Sequence, residues 1–228
     1  MKNFFTLFSV PNLLTLLNLT FGVTGIICAT HGRPDYALYC MLGSGVSDFL
    51  DGWAARFFRQ QQAIGKDLDS LSDIVSFGCL PGILIFEHLN HAGFSFMQCL
   101  PAFILPAFSA LRLAKFNHDM RQSSFFYGVP TPITGLFWAS WFYPPVFSFM
   151  NQPLWIYAAL IITSVLLLMD IPMLSFKIKK FFSKENILLF LFLISCLLLV
   201  MIFQWKAMIY IYVVYVICGL IFRIFISE

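Results

Sequence analysis

Residues 47–73 read SDFLDGWAARFFRQQQAIGKDLDSLSD. The stretch holds Asp48, Asp51, Asp67, Asp69 and Asp73, five of the 11 acidic residues in a chain of 228. Apolar runs flank it on both sides, each approaching the roughly 20 residues that a helix needs to cross a bilayer core. An acidic side chain at the centre of a membrane helix costs roughly 2.5–3.5 kcal/mol on insertion scales, and less near the interface. A group of aspartates at one helical boundary therefore calls for a physical reason.

The rest of the chain supports the membrane reading. Hydrophobic residues make up 60% of it, aromatic residues 18% and charged residues only 11%. An ordinary soluble domain carries about 25% charged residues, so this composition cannot cover a water-facing surface. It excludes a soluble enzyme, a nucleic-acid binder and a disordered tail. Eight apolar stretches approach membrane-spanning length: about 11–30, 36–58, 69–87, 94–113, 131–149, 153–171, 185–203 and 206–226. Lipid-exposed backbone must satisfy its own hydrogen bonds, and each run is too long for a barrel strand, so the expected fold is an all-α polytopic bundle of about eight spans. The six cysteines, 28, 40, 79, 99, 196 and 218, stand singly in apolar runs and read as small buried hydrophobes.

Charge fixes the expected orientation. With the N-terminus in the cytoplasm and eight alternating spans, twelve of the 14 Lys and Arg residues fall inside, and only Arg33 and Lys206 fall outside. The positive-inside rule demands that asymmetry, which places both termini in the cytoplasm of a cell-membrane protein. The net charge of +3 is too small by itself to imply a polyanionic partner. Ser175–Asn186 holds four lysines in twelve residues. It divides a six-span unit, residues 1–175, from a basic loop and apolar hairpin, residues 176–228.

Helical spacing sorts the aspartates. At about 100° per residue, Asp48, Asp51, Gly52 and Ala55 share a sector of the second span, and Ser44 extends the stripe. Bulky Phe49, Leu50, Trp53 and Phe57 mostly take its other faces. After a turn expected around Gly65, Asp69, Ser72, Asp73 and Ser76 share a face of the third span, with Asp67 roughly opposite. Carboxylates converging without His or Cys suit hard divalent cations, Mg²⁺ or Mn²⁺, and two such ions about 3.5–4 Å apart would make a phosphoryl-transfer site. The same acids could instead line a cation pathway in a transporter, or simply pair with Arg56, Arg59 and Lys66. The small residues beside the acids favour close approach of a bulky ligand such as a nucleotide diphosphate.

The motif Asp48-x2-Asp51-Gly52-x2-Ala55-Arg56-x8-Gly65-x3-Asp69-x3-Asp73 resembles, without departure, the signature of the CDP-alcohol phosphotransferases. The resemblance implies a helical membrane bundle, usually a homodimer. It also implies transfer of a phosphatidyl or related group from a CDP-linked donor to an alcohol, with release of CMP. Asp48, Asp51, Asp69 and Asp73 would then be the metal ligands and Asp73 the general base, while Gly52, Ala55, Arg56 and Gly65 would shape the CDP pocket.

The flanks Pro11-Asn12-x2-Thr15-x2-Asn18, Asp69-Ser70-x2-Asp73-x2-Ser76-Phe77-Gly78, Arg112-Leu113-Ala114-Lys115-Phe116-Asn117 and Gly128-Val129-Pro130-Thr131-Pro132 are similar to those of bacterial and archaeal membrane-bound phosphatidylserine synthases. Lys115 stands where arginine is more usual. That likeness covers about residues 10–135 and adds Asn12 and Thr15 to the CDP pocket. It implies CDP-diacylglycerol as donor and L-serine as acceptor; glycerol 3-phosphate or inositol is the alternative acceptor. Serine's carboxylate needs a cation, and Arg112, Lys115 and Arg121 are the candidates.

Overall fold

A computed structural model of the protein describes residues 8–58, 63–119, 126–142, 152–173 and 184–226. Arg59, Arg121 and most of the lysine-rich segment lie outside the described residues. Within them the chain forms helices α1 (Val10–Thr30), α2 (Pro34–Phe57), α3 (Ala63–His91), α4 (Phe96–His118), α5 (Thr131–Phe142), α6 (Pro153–Leu168), α7 (Lys184–Phe203) and α8 (Ala207–Ile226). Strands β1 (Phe126–Tyr127) and β2 (Pro172–Met173) pair antiparallel, with Phe126 opposite Met173. This small ribbon was not expected from hydropathy; the helices otherwise fall on the anticipated stretches, in an all-α membrane fold. Among the described residues, four helical runs are long and apolar enough to cross a bilayer: Val10–Thr30, Ala63–His91, Phe96–His118 and Leu191–Arg223. The last folds back at Gln204 (φ 51°), which brings the rings of Phe192 and Tyr215 to 5.4 Å.

Local chemistry explains the helix ends and irregularities. Ser9 caps α1, accepting the Asn12 N–H at 3.5 Å, and Pro11 sits in the first turn, where no N–H is required. A tight turn with Gly32 at φ 69° leads into α2. The aspartate face of α3 ends in a π-turn, Ile74–Cys79, in which the Leu80 N–H reaches back five residues to the Val75 carbonyl. Pro81 supplies the reason: it has no N–H for the Phe77 carbonyl and its ring crowds that oxygen, so the ladder shifts. One expectation is corrected here. Helix α3 begins at Ala63, so Gly65 lies in its first turn rather than in a loop between helices.

Hydrophobic burial does little to hold helices together in lipid; close packing does more. A Cβ added to Gly22 of α1 would lie 2.9 Å from the Ser76 Cα of α3, and one on Gly135 of α5 would lie 3.0 Å from the Phe77 Cα. Helices α3 and α4 run side by side in a register marked by Ser70 against Asn117 (2.8 Å), Gly78 against Ser109 and Gly82 against Pro106. Trp138 of α5 is fully buried and donates from Nε1 to Thr163 Oγ1 of α6 at 3.2 Å. The outward faces carry Phe49, Trp53, Phe57, Leu154, Ile161 and Met201, all exposed, as a lipid-facing surface requires.

Candidate active site

The site lies where α1, α2 and α3 meet. A buried stripe on α1 carries the polar residues Asn12, Thr15 and Asn18, followed by Gly22 and Gly25. Each polar member engages a neighbouring helix or the cavity. Thr15 Oγ1 lies 2.6 Å from Asp51 Oδ2 and donates to it. Asn18 Nδ2 donates to Asp73 Oδ1 at 3.2 Å. The Asn18 carbonyl accepts from Ser44 Oγ of α2 at 3.1 Å and from Ser76 Oγ of α3 at 3.0 Å, which ties the three helices together behind the aspartates.

Asp48, Asp51 and Asp69 each offer a carboxylate oxygen within 4.8 Å of the others. Like charges this close repel, by about 1 kcal/mol per pair at 4 Å even in water and more in a drier site. No cationic side chain within 4 Å neutralises them among the described residues. Asp69 Oδ1 is buried and accepts no hydrogen bond there. A hard oxygen donor set with an orphaned carboxylate oxygen fits a divalent cation such as Mg²⁺ or Mn²⁺. Asp73 is more buried, one helical turn further along α3, beside the amide of Asn18 rather than inside the three-carboxylate group. Asp67 is exposed, as its helical phase predicted.

An open cavity of about 420 Å³ adjoins the carboxylates, lined by Asn12, Thr15, Gly52, Ala55 and Gly65 together with Asp51 and Asp69. A Cβ added to Gly52 would meet nothing within 4 Å, so that glycine leaves the cavity wall open. Gly65 differs: a Cβ there would stand 3.2 Å from Asn12 Oδ1, so part of its smallness serves helix packing. Arg56, expected at this pocket, is an exposed residue in the last turn of α2 and does not line the cavity; its charge faces the negative end of the helix dipole. Lys66 does line it, and its Nζ donates to the Asn117 carbonyl at 2.9 Å.

The cationic residues on α4 part company. Arg112 is buried, 7% exposed, with Nη1 3.4 Å from Thr131 Oγ1 and its guanidinium carbon 5.2 Å from the Phe116 ring centre. Its Nε has no partner among the described residues, and it lies within electrostatic reach of Asp73 and Asp48. Lys115 turns away, donating to Asp170 Oδ1 at 2.8 Å and to the Leu168 carbonyl at 3.2 Å.

Four contributions were not specified by the sequence: Asn18 on Asp73, Ser44 and Ser76 on the Asn18 carbonyl, and Lys66 in the cavity wall rather than paired with an aspartate. The signal for the first was available: Asn12, Thr15 and Asn18 recur every three residues on an otherwise apolar helix, and polar side chains placed that way point into a bundle.

The profile of the CDP-alcohol phosphatidyltransferase family matches residues 8–144, more than half of the chain. The chain belongs to that family. Among its relatives is the archaetidylserine synthase of Methanothermobacter thermautotrophicus, 31% identical over 170 residues, which span 74% of this chain and 70% of that protein. The CDP-diacylglycerol–serine O-phosphatidyltransferase of Bacillus subtilis is 29% identical over 127 residues, 56% of this chain and 71% of the relative. That of Mycobacterium leprae is 29% identical over 130 residues, but these span only 43% of its length. The family region contains α1 to α5, and with them every side chain that lines the cavity.

Proposed function

We propose that the protein transfers the phosphatidyl group of CDP-diacylglycerol to the hydroxyl of L-serine, forming phosphatidylserine and CMP. The observation that carries this reading is the meeting of three carboxylates, two of them (Asp51 and Asp69) in the wall of a nucleotide-sized cavity, in a chain whose relatives bear archaetidylserine or phosphatidylserine transferase names. Asp48, Asp51 and Asp69, completed by Asp73, would hold Mg²⁺ or Mn²⁺, two ions in the full reading. Such ions neutralise the donor diphosphate and stabilise the departing CMP.

The chain's own residues divide the remaining work. Gly52, Ala55, Asn12, Thr15 and Gly65 bound the space for the CDP group, and Thr15 fixes the Asp51 carboxylate through its short hydrogen bond. The serine oxygen attacks the phosphorus that bears the diacylglycerol, the bond from that phosphorus to the CMP oxygen breaks, and Asp73 takes the hydroxyl proton. Asn18 orients Asp73 by holding one carboxylate oxygen. Holding both reactants in line accounts for most of the rate in phosphoryl transfer. Arg112, buried within reach of Asp73, suits the serine carboxylate; Lys115 is occupied by Asp170. The basic-residue asymmetry supports eight spans with both termini in the cytoplasm, so that the lipid tails stay in the bilayer while the CDP head meets the site at the inner interface. A homodimer in the cell membrane completes the proposal.

The test is a product assay. Purified protein with CDP-diacylglycerol, Mg²⁺ or Mn²⁺ and equal L-serine, inositol and glycerol 3-phosphate should give phosphatidylserine almost alone, with matching CMP release. Incorporation of inositol or glycerol 3-phosphate would replace the acceptor while keeping the reaction class. Absence of CMP release would return the aspartates to a cation-transport reading.

A further inference from the structure

Asn18 of α1 is held from two directions. Its backbone carbonyl accepts from Ser44 Oγ and Ser76 Oγ, and its Nδ2 donates to Asp73 Oδ1 at 3.2 Å. The residue is 0% exposed, yet its Oδ1 accepts no hydrogen bond among the described residues. The amide cannot turn over to relieve this, because its oxygen would then face a carboxylate oxygen, acceptor against acceptor. Buried polar atoms in folded proteins are almost always satisfied, so an orphaned oxygen beside a reactive carboxylate points to a donor that arrives with a ligand. An amide oxygen only accepts, which restricts that donor to an N–H, an O–H or a cation.

Position narrows the choice. Thr15 and Asp69 line the cavity, and Asn18 and Asp73 follow them by three and four residues on the same helices. The Asn18–Asp73 pair is therefore the next layer of the site, one helical turn beyond the cavity wall. Serine carries its ammonium on the carbon next to the one that bears the hydroxyl. A serine hydroxyl that meets Asp73 thus brings the ammonium to the amide already bonded to Asp73. The α3–α4 register, with Ser70 against Asn117 and Gly78 against Ser109, sets Arg112 at the level of Val75, within the stretch Asp73–Ser76 that Asn18 bridges. Its Nε is likewise buried and without a partner among the described residues. One level of the bundle thus offers an orphaned acceptor and an orphaned cationic donor, the two polarities that a zwitterion requires. Glycerol 3-phosphate and inositol bring no cationic group to the acceptor.

We propose that Asn18 determines specificity for the ammonium of the acceptor: while its amide nitrogen steadies Asp73, its Oδ1 receives an N–H of serine, so the chain selects an amino alcohol over a polyol. The inference rests on the serine-transfer reading given above.

The experiment uses the full chain in detergent, with CDP-diacylglycerol, Mn²⁺ and either L-serine or 3-hydroxypropionate, which keeps the hydroxyl and carboxylate of serine and lacks its amine. Wild-type protein must first release CMP with serine; failure at that step overturns the serine reading and this inference with it. Given turnover, wild type should prefer serine over 3-hydroxypropionate by about tenfold or more in kcat/KM, the scale of one hydrogen bond to a charged group. Two variants separate the two ends of the amide. Asn18→Leu removes both, whereas Asn18→Asp keeps an accepting oxygen and loses the N–H that orients Asp73. The ties to Ser44 and Ser76 run through the backbone carbonyl and are available to both variants. Asn18→Leu should lose about tenfold of the preference. Asn18→Asp should lower kcat with both acceptors and keep the preference. Dissociation constants of the two acceptors, measured by NMR with Mg²⁺ and CDP, which has no phosphatidyl group to transfer, give the same ratios for a variant that turns over too slowly to assay. Mn²⁺ affinity of Asn18→Leu should match wild type. The proposal is overturned, and the serine reading stands, if wild type shows no preference or if Asn18→Leu retains it in full. It is overturned equally if Asn18→Asp loses as much preference as Asn18→Leu, or if the loss appears in Mn²⁺ affinity instead, which would make the oxygen a metal ligand.

Discussion

The carboxylate ends of α2 and α3 and the cationic end of α4 were both legible as helical faces, but only the first kept its members together. Asp48 and Asp51 are three residues apart, as are Arg112 and Lys115. The aspartates converge with Asp69 within 4.8 Å, whereas Arg112 turns into the bundle and Lys115 reaches out to Asp170. Side-chain length accounts for the difference. A short aspartate goes where its backbone points, so helical phase settles its direction. Arginine and lysine carry long stems that cover several ångströms of surface before the charge is placed, so their partners depend on what the rest of the chain brings near.

The strongest way to break this comparison is at the aspartates. Asp48→Asn, Asp51→Asn or Asp69→Asn should each lower turnover by about a thousandfold, the scale of losing one preorganised electrostatic element. Mn²⁺ binding, followed by electron paramagnetic resonance, should weaken in parallel. Asp67→Asn should leave both measurements near wild type, and comparable losses at Asp67 would show that helical phase did not select the site.

Arg112→Gln is expected to raise the serine KM about a hundredfold with a smaller change in the donor KM, as loss of a charge-assisted bidentate contact predicts. Lys115→Gln should leave the serine KM unchanged. If the two variants behave alike, the division of the cationic face is wrong.

Two glycines sharpen the contrast between packing and ligand space. Gly22→Ala pushes a methyl against the backbone of Ser76 and should cost about 1–3 kcal/mol, measured by thermal or denaturant unfolding in detergent. Gly52→Ala meets open space and should leave unfolding unchanged while raising the donor KM.

The smallest effect belongs to the Lys115–Asp170 pair. Both side chains are substantially exposed, at 39% and 56%, so Asp170→Asn should cost at most about 1 kcal/mol and lose its effect in high salt.

Much of the fold could be read from hydropathy because a bilayer constrains the chain so strongly: apolar runs of spanning length must be helical. The irregularities required more. The π-turn after Asp73 follows from Pro81, which the sequence shows, but which of several local adjustments relieves a helix proline depends on packing against α1, α4 and α5. The two-residue ribbon gave no hydropathy signal, since it joins segments 45 residues apart in sequence through a few backbone bonds. Gly128, at φ 80° beside the Leu167 carbonyl, is its one local mark. At the site, the aspartates and the cavity residues of α2 were legible from spacing. Asn18, Ser44 and Ser76 were not assigned because their shared partner is a backbone carbonyl, which carries no sequence signature.

By itself, then, the sequence determined the membrane class, the helical state of each apolar run and the face on which each short acidic side chain lies. Those properties follow from local composition and from the fixed 100° step of a helix. Only the tertiary structure decided which helices meet, that Asn18 holds Asp73, and that Arg112 and Lys115 separate. Those contacts depend on close packing between distant segments, where a glycine opposite Ser76 or Met173 sets the approach of whole helices.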